Sequence, residues 1–186
     1  MNYREALQIG SKFLRSNKIK NPNLDSELIL SKVLNKTREQ IIINDNHFIN
    51  HKQINKFNYF LSRRKKNEPI AYILGFKYFW KYKFLTNNSV LIPRPDTEII
   101  IEESLRCIDI KKSKKILDIG TGSGCIIISI LKERPKCTAT AIDISNKAIK
   151  VAKTNAKLHH IENKIDFINI DIDKYNSNKY DLILSN

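Results

Sequence analysis

The stretch ILDIGTGSG, Ile116 to Gly124, decides the fold. An apolar run ends in glycines at 120, 122 and 124, and a second apolar run, CIIISILKER, follows at once. Strand, glycine loop and helix in that order is the context of a nucleotide-type loop. Glycine is needed where the backbone turns sharply and a ligand approaches closely. A tight turn without a ligand is the plain alternative. The spacing narrows the guest. A dinucleotide fingerprint beginning at Gly122 and Gly124 requires glycine where Ile127 stands, and the Gly-Lys-Ser/Thr of a P-loop is absent. A pyrophosphate is therefore not the obvious ligand.

Downstream, TATAID reads as a strand, SNKAIKVAKTNAKLHH as a helix, and KIDFINID and YDLILSN as two further strands. Such alternation predicts parallel strands joined by right-handed crossovers, an α/β doubly wound sheet. Asp143 closes the second strand, where a carboxylate can accept both hydroxyls of a ribose. Asp171 ends the third, where it can border an adenine. Singly, each is as readily a strand-end cap. With the glycines they imply a nucleoside lacking a phosphate chain, and S-adenosyl-L-methionine fits.

Upstream, residues 1–70 read as a small helical domain. Tyr3, Ala6, Leu7, Gly10, Phe13 and Leu14 follow one helical face, and Thr37 with Gln40 fits a capping box. Another helix is expected over about Lys52–Arg64, with Ile54, Phe57 and Leu61 inward. From Ala71 the period changes. Residues 71–92 predict a β-hairpin connector, with Asn87-Asn88 available for its turn. Residues 93–186 form the α/β domain, opened by a helix for which Asp96 is the expected N-cap.

The chain of 186 residues carries a net charge of +14, unevenly spread. Residues 1–90 hold 17 Lys/Arg against 6 Asp/Glu, and residues 91–186 hold 16 against 13. This admits a nucleic-acid surface, but the abundance of Ile, Lys and Asn also fits codon bias and a solvated face. Three cysteines without CxxC spacing argue against a disulfide framework or zinc site and for a reducing cytosol. No metal and no membrane partner is expected, and the compartment expected is the cytoplasm.

Five segments occur in one order: EPIAYILG (Glu68–Gly75), LIPRPDTE (Leu91–Glu98), ILDIGTGSG, the strand end at Asp143, and DLILSN. Together they resemble the HemK/PrmC family, the peptide chain release factor glutamine methyltransferases, across essentially the whole chain. The resemblance implies that Gly120, Thr121, Gly122, Ser123 and Gly124 form the cofactor loop and that Asp143 binds the ribose. Asp171 and Ile172 border the adenine. Asn186 is the catalytic and substrate-binding Asn of an Asn-Pro-Pro-Tyr signature, of which this sequence holds only the Asn.

An amide nitrogen is a poor nucleophile because its lone pair is delocalised. An Asn oxygen and a neighbouring carbonyl, each accepting one N–H, can aim that lone pair at a methyl group, so that catalysis is chiefly orientation. The substrate implied is the glutamine of a Gly-Gly-Gln loop in release factors. A ribosomal-protein glutamine and an adenine amino group of nucleic acid are the alternatives. With four strands where such a sheet has about seven, the α/β domain is expected to be C-terminally truncated. The isolated chain is then expected to bind cofactor weakly and turn over negligibly.

Overall fold

Helices α1 (Tyr3–Ser16), α3 (Arg38–Ile43) and α4 (His51–Lys65) each begin on a reciprocal capping box: Asn2 with Glu5, Thr37 with Gln40, and Asn50 with Gln53. Each box satisfies two backbone N–H groups that a helix start leaves open. Helix α2 (Pro22–Leu34) starts on a proline and stops at Asn35 in the left-handed conformation; α5 (Ile70–Leu74) is one short turn. These helices form one unit, Met1–Leu74, and Gly75–Asn186 forms a second. The computed structural model describes residues 1–176 and 179–186.

The first unit closes around Leu14, Ile29, Leu30, Ile41, Phe57 and Ile73, all at most 1% exposed. Gly10 lets α1 approach its neighbours. A Cβ there would stand 2.4 Å from Ser26 Oγ and 2.8 Å from Phe57 Cζ. Asp25 is buried with a partner, accepting from Arg64 Nε at 2.7 Å, so the charge is matched where water is excluded. The inward face expected for α4 is present at Phe57 and Leu61, while Ile54 packs at the margin.

The second unit opens with an antiparallel hairpin, β1 (Phe76–Phe79) and β2 (Tyr82–Leu85). The period change expected at Ala71 comes later, because residues 70–74 are still helical. The turn also differs from expectation, falling at Trp80-Lys81 and not at Asn87-Asn88. Trp80 takes a φ of +54°, unusual for a bulky residue. Its N–H donates to Glu98 Oε1 at 2.7 Å, and its indole Nε1 reaches Glu133 Oε1 at 3.3 Å. Lys81 and Tyr82 donate to that same Glu133 oxygen. Asn87 makes a separate bend, accepting the N–H of Ser89 at 2.9 Å. Phe79 and Phe84 are buried in the second unit's core, so the hairpin is one of its walls.

A 3-10 turn, Pro95–Thr97, leads into α6 (Glu98–Cys107). Asp96 lies inside that turn and is not the N-cap. The turn's own carbonyls take the Glu98 N–H. Strands β3 (Lys115–Ile119), β4 (Thr138–Asp143), β5 (Ile165–Asn169) and β6 (Leu182–Ser185) form one parallel sheet in the order β5-β4-β3-β6. Helices α7 (Cys125–Glu133) and α8 (Asn146–Leu158) make the crossovers after β3 and β4. Parallel strands bring all their carboxyl ends to one side, and the order reverses at β3, the place where open α/β sheets bind ligands. Strands β5 and β6 are the outer strands among the described residues.

Candidate active site

The glycine loop leaves β3 with φ of +71° at Gly120, +55° at Gly122 and +77° at Gly124. The three positions serve different ends. A Cβ at Gly120 would meet nothing within 4 Å, so the loop faces open space there. A Cβ at Gly124 would stand 2.9 Å from Ile128 Cδ1 and 3.3 Å from Ala152 Cβ. That glycine lets the loop pack on its own crossover helices.

Four anchors fix the loop. The N–H groups of Gly120 and Thr121 both donate to Ile142 O, at 2.9 and 3.0 Å. The Thr121 hydroxyl donates to Asp118 Oδ2 at 2.6 Å, inside the protein. Gly122 N–H donates to Asp143 Oδ2 at 2.9 Å. From α8, Asn155 donates Nδ2 to Ser123 O at 2.8 Å and to Leu85 O at 3.0 Å, and accepts Leu85 N–H at 2.7 Å. Asn155 has no exposed surface, and its amide ties the end of the hairpin to the glycine loop.

Two cavities meet at Gly120. One, about 190 Å³, is walled by Ile119, Ile142, Ile144, Ile170 and Ile172, with Asp143 and Asp171 at its edges. The other, about 60 Å³, lies between the loop at 120–123 and the 91–97 segment, with Asn186 on its rim. The sequence-derived candidates Gly120, Thr121, Gly122, Ser123, Asp143, Asp171, Ile172 and Asn186 all line one or the other. Gly124 lies below, at the start of α7. Asp143 also accepts Ser145 N–H on Oδ1 at 2.8 Å. A carboxylate offers about four acceptor positions, so capacity remains for two hydroxyls. Asp171 spends one oxygen on Asp173 N–H at 3.2 Å, the capping role open to a lone carboxylate there. Ile172 stands 44% exposed, an aliphatic wall and not a stacking aromatic.

An apolar slot with a carboxylate at its mouth suits a flat heterocycle joined to a hydroxylated sugar. Backbone N–H groups and glycines beside it suit a short polar extension. The residues present therefore fit a nucleoside with an amino-acid tail. Cys125 walls the second cavity, but burial pushes its thiol up to about 12, which leaves it uncharged and unreactive. Among the described residues no cluster of His, Cys, Asp or Glu is placed to hold a metal ion, and no helix is long and apolar enough to cross a membrane.

Several participants escape sequence reasoning. Asp118 reads as an ordinary strand residue, yet it is 2% exposed and burial raises its pKa to about 6. Asn155 reads as one more polar residue on a helix. Asn169 donates Nδ2 to the carbonyls of Asp143 and Ile144, tying the two strand ends that wall the larger cavity. Arg94 lies in a segment whose sequence fits a rigid linker and a place at the mouth of the site equally well; with Thr97 it lines the smaller cavity.

Two family models match in tandem: the PrmC N-terminal domain over residues 5–75 and a methyltransferase domain over residues 110–186. The chain belongs to the HemK/PrmC family. The release factor glutamine methyltransferase of Buchnera aphidicola subsp. Baizongia pistaciae is 41% identical to this HemK/PrmC chain over 165 residues, covering 89% of the chain and 59% of that protein. The protein of the same description from Coxiella burnetii is 42% identical over 144 residues, covering 77% and 52%. The bifunctional methyltransferase of Rickettsia typhi is 40% identical over 184 residues, covering 89% and 36%. This HemK/PrmC chain thus spans little more than half, or less, of the relatives it matches. Among solved structures, a SAM-dependent methyltransferase from Geobacter sulfurreducens matches at 24% identity and a TM-score of 0.43, over 50% of this chain and 36% of that one. That likeness is too loose to bear on function.

Proposed function

We propose that this protein transfers a methyl group from S-adenosyl-L-methionine to the side-chain amide nitrogen of a glutamine in peptide chain release factors, the glutamine of their Gly-Gly-Gln motif. The observation that carries the reading is the placement of Asn186, at the carboxyl end of β6, on the rim of the cavity lined by Gly120–Ser123. The names of the Buchnera and Coxiella relatives point to the same substrate.

Asp143 would take the two ribose hydroxyls, and the isoleucine walls would enclose the adenine, with Asp171 at its edge. The glycine loop would face the amino-acid tail. When bound, S-adenosyl-L-methionine supplies a methyl group on a positively charged sulfur, which departs as a neutral thioether. Asn186 Oδ1 would accept one N–H of the substrate amide and hold its nitrogen in line with the methyl carbon. The carbon–nitrogen bond forms as the carbon–sulfur bond breaks, sulfur keeps the electron pair, and the nitrogen releases one proton to water. The gain comes from orientation and from a fixed amide dipole facing charge that develops on nitrogen. No general base is needed.

The test is transfer of labelled methyl groups, by the protein purified from its natural source, to a release factor, to the same factor with the motif Gln replaced by Asn, to ribosomal protein and to DNA. Label in the first substrate alone supports the proposal. Label in the Asn-substituted factor or in ribosomal protein moves the target. Label in DNA, lost steeply with salt, would replace the reading with the nucleic-acid one.

A further inference from the structure

Thr97 occupies the position before α6 where a threonine hydroxyl ordinarily accepts a backbone N–H from the first turn. It makes no such bond. The preceding 3-10 turn already takes the Glu98 N–H on the carbonyls of Pro95 and Asp96. The hydroxyl is free for another partner, and it receives Nδ2 of Asn186 at 3.1 Å. Both side chains border the cavity that also holds the glycine loop.

This contact bears on an ambiguity inherent in asparagine. Its amide has a donor end and an acceptor end of nearly equal size, and the torsion that exchanges them is broad and roughly two-fold. With the NH₂ end on Thr97, the Oδ1 end is turned away, and among the described residues it accepts no hydrogen bond. Turned over, Asn186 would offer N–H groups where the substrate nitrogen also brings N–H groups, and the bond that aims that nitrogen could not form.

We propose that Thr97 is a positioning residue which selects the end of the Asn186 amide that meets the substrate nitrogen. The proposal rests on Asn186 being the acceptor, as set out under Proposed function. One hydrogen bond biases the two orientations by about five- to tenfold, so losing it lowers the correctly turned share from about nine-tenths to about half, and the expected effect on rate is about twofold.

The test uses Thr97→Val, which keeps the shape and removes the hydroxyl, and Thr97→Ser, which restores it. In ¹⁵N-labelled protein without cofactor, the Asn186 side-chain NH₂ pair is assigned by comparison with Asn186→Ala. Thr97→Val should shift that pair and draw its two proton signals together, and Thr97→Ser should return them. Against release factor, Thr97→Val should lower kcat about twofold, with the cofactor Kd and Tm unchanged, and Thr97→Ser should recover most of it. In Asn186→Ala, adding Thr97→Val should cost nothing further. An unmoved NH₂ pair overturns the proposal, as does a Thr97→Ser kcat no better than that of Thr97→Val, or losses that multiply in the double variant. If Asn186→Ala keeps full activity, Asn186 is not the acceptor and both readings fall. If the NH₂ pair responds as stated but release factor takes no label, the contact stands and the substrate assignment alone has failed.

Discussion

Asp118 carries an electrostatic burden at the centre of the site. Burial dominates its titration, raising it from 3.8 to about 6 despite the Thr121 hydroxyl, which favours the charged form; nearby Asp143 adds to the rise. The sign follows from proton counting. Between those two values the folded state keeps a proton that the unfolded chain has lost, so stability falls as pH rises through that window. Above about pH 6 the full cost remains. Asp118→Asn cannot ionise, yet its Oδ1 can still accept from Thr121. Relative to wild type, the Asn variant should gain about 1 to 1.5 kcal/mol between pH 5 and pH 7.5, read from paired urea titrations. A difference that does not change with pH would show that Asp118 ionisation carries no cost. Asp118 was invisible in the sequence because burial, and not residue type, perturbs it. The places of the glycines after β3 and of Asp143 at the end of β4 are legible because they follow from the order of strand, loop and helix.

Among the elements, α8 couples two neighbours through one side chain. Asn155 makes three hydrogen bonds, two to Leu85 of β2 and one to Ser123 of the loop. Asn155→Ala strands a buried N–H and two carbonyls, at a cost of about 2 to 4 kcal/mol, and should weaken binding of S-adenosyl-L-methionine as the loop loses an anchor. Chemical denaturation and calorimetric titration check the two effects separately. Loss of stability with unchanged affinity would show that Ser123 O needs no such support. The hairpin itself was readable from its aromatic and β-branched residues, but its turn was not. Asn87-Asn88 carries the stronger local signal, yet Glu98 and Glu133 hold the Trp80 backbone and indole, and tertiary hydrogen bonds outweigh local turn preference. Asp96 is not the cap for a related reason: the 3-10 turn closes the helix start on backbone carbonyls, without its side chain.

Across the whole molecule, the two units have separate cores that share no buried residue. The first has its own capped helices and a buried ion pair, Arg64 with Asp25. Residues 1–74 expressed alone should therefore fold to a helical domain with a cooperative thermal transition in circular dichroism. A gradual, non-cooperative loss of signal would show that this core is insufficient. Apart from α5, too short to show a repeat, the order of helices and strands is legible from periodicity. The β5-β4-β3-β6 order was not, because pairing across a sheet depends on which crossover passes which strand. That order also has a consequence in time. β3, β4 and β5 pair as they emerge in sequence, but β6 must travel back past both to pair Leu182 with Ile116. A ribosome adding about 5 to 20 residues per second would thus present the glycine loop and Asp143 before Asn186 exists. The nascent chain can carry its nucleoside slot a second or more before it carries the amide proposed to act there.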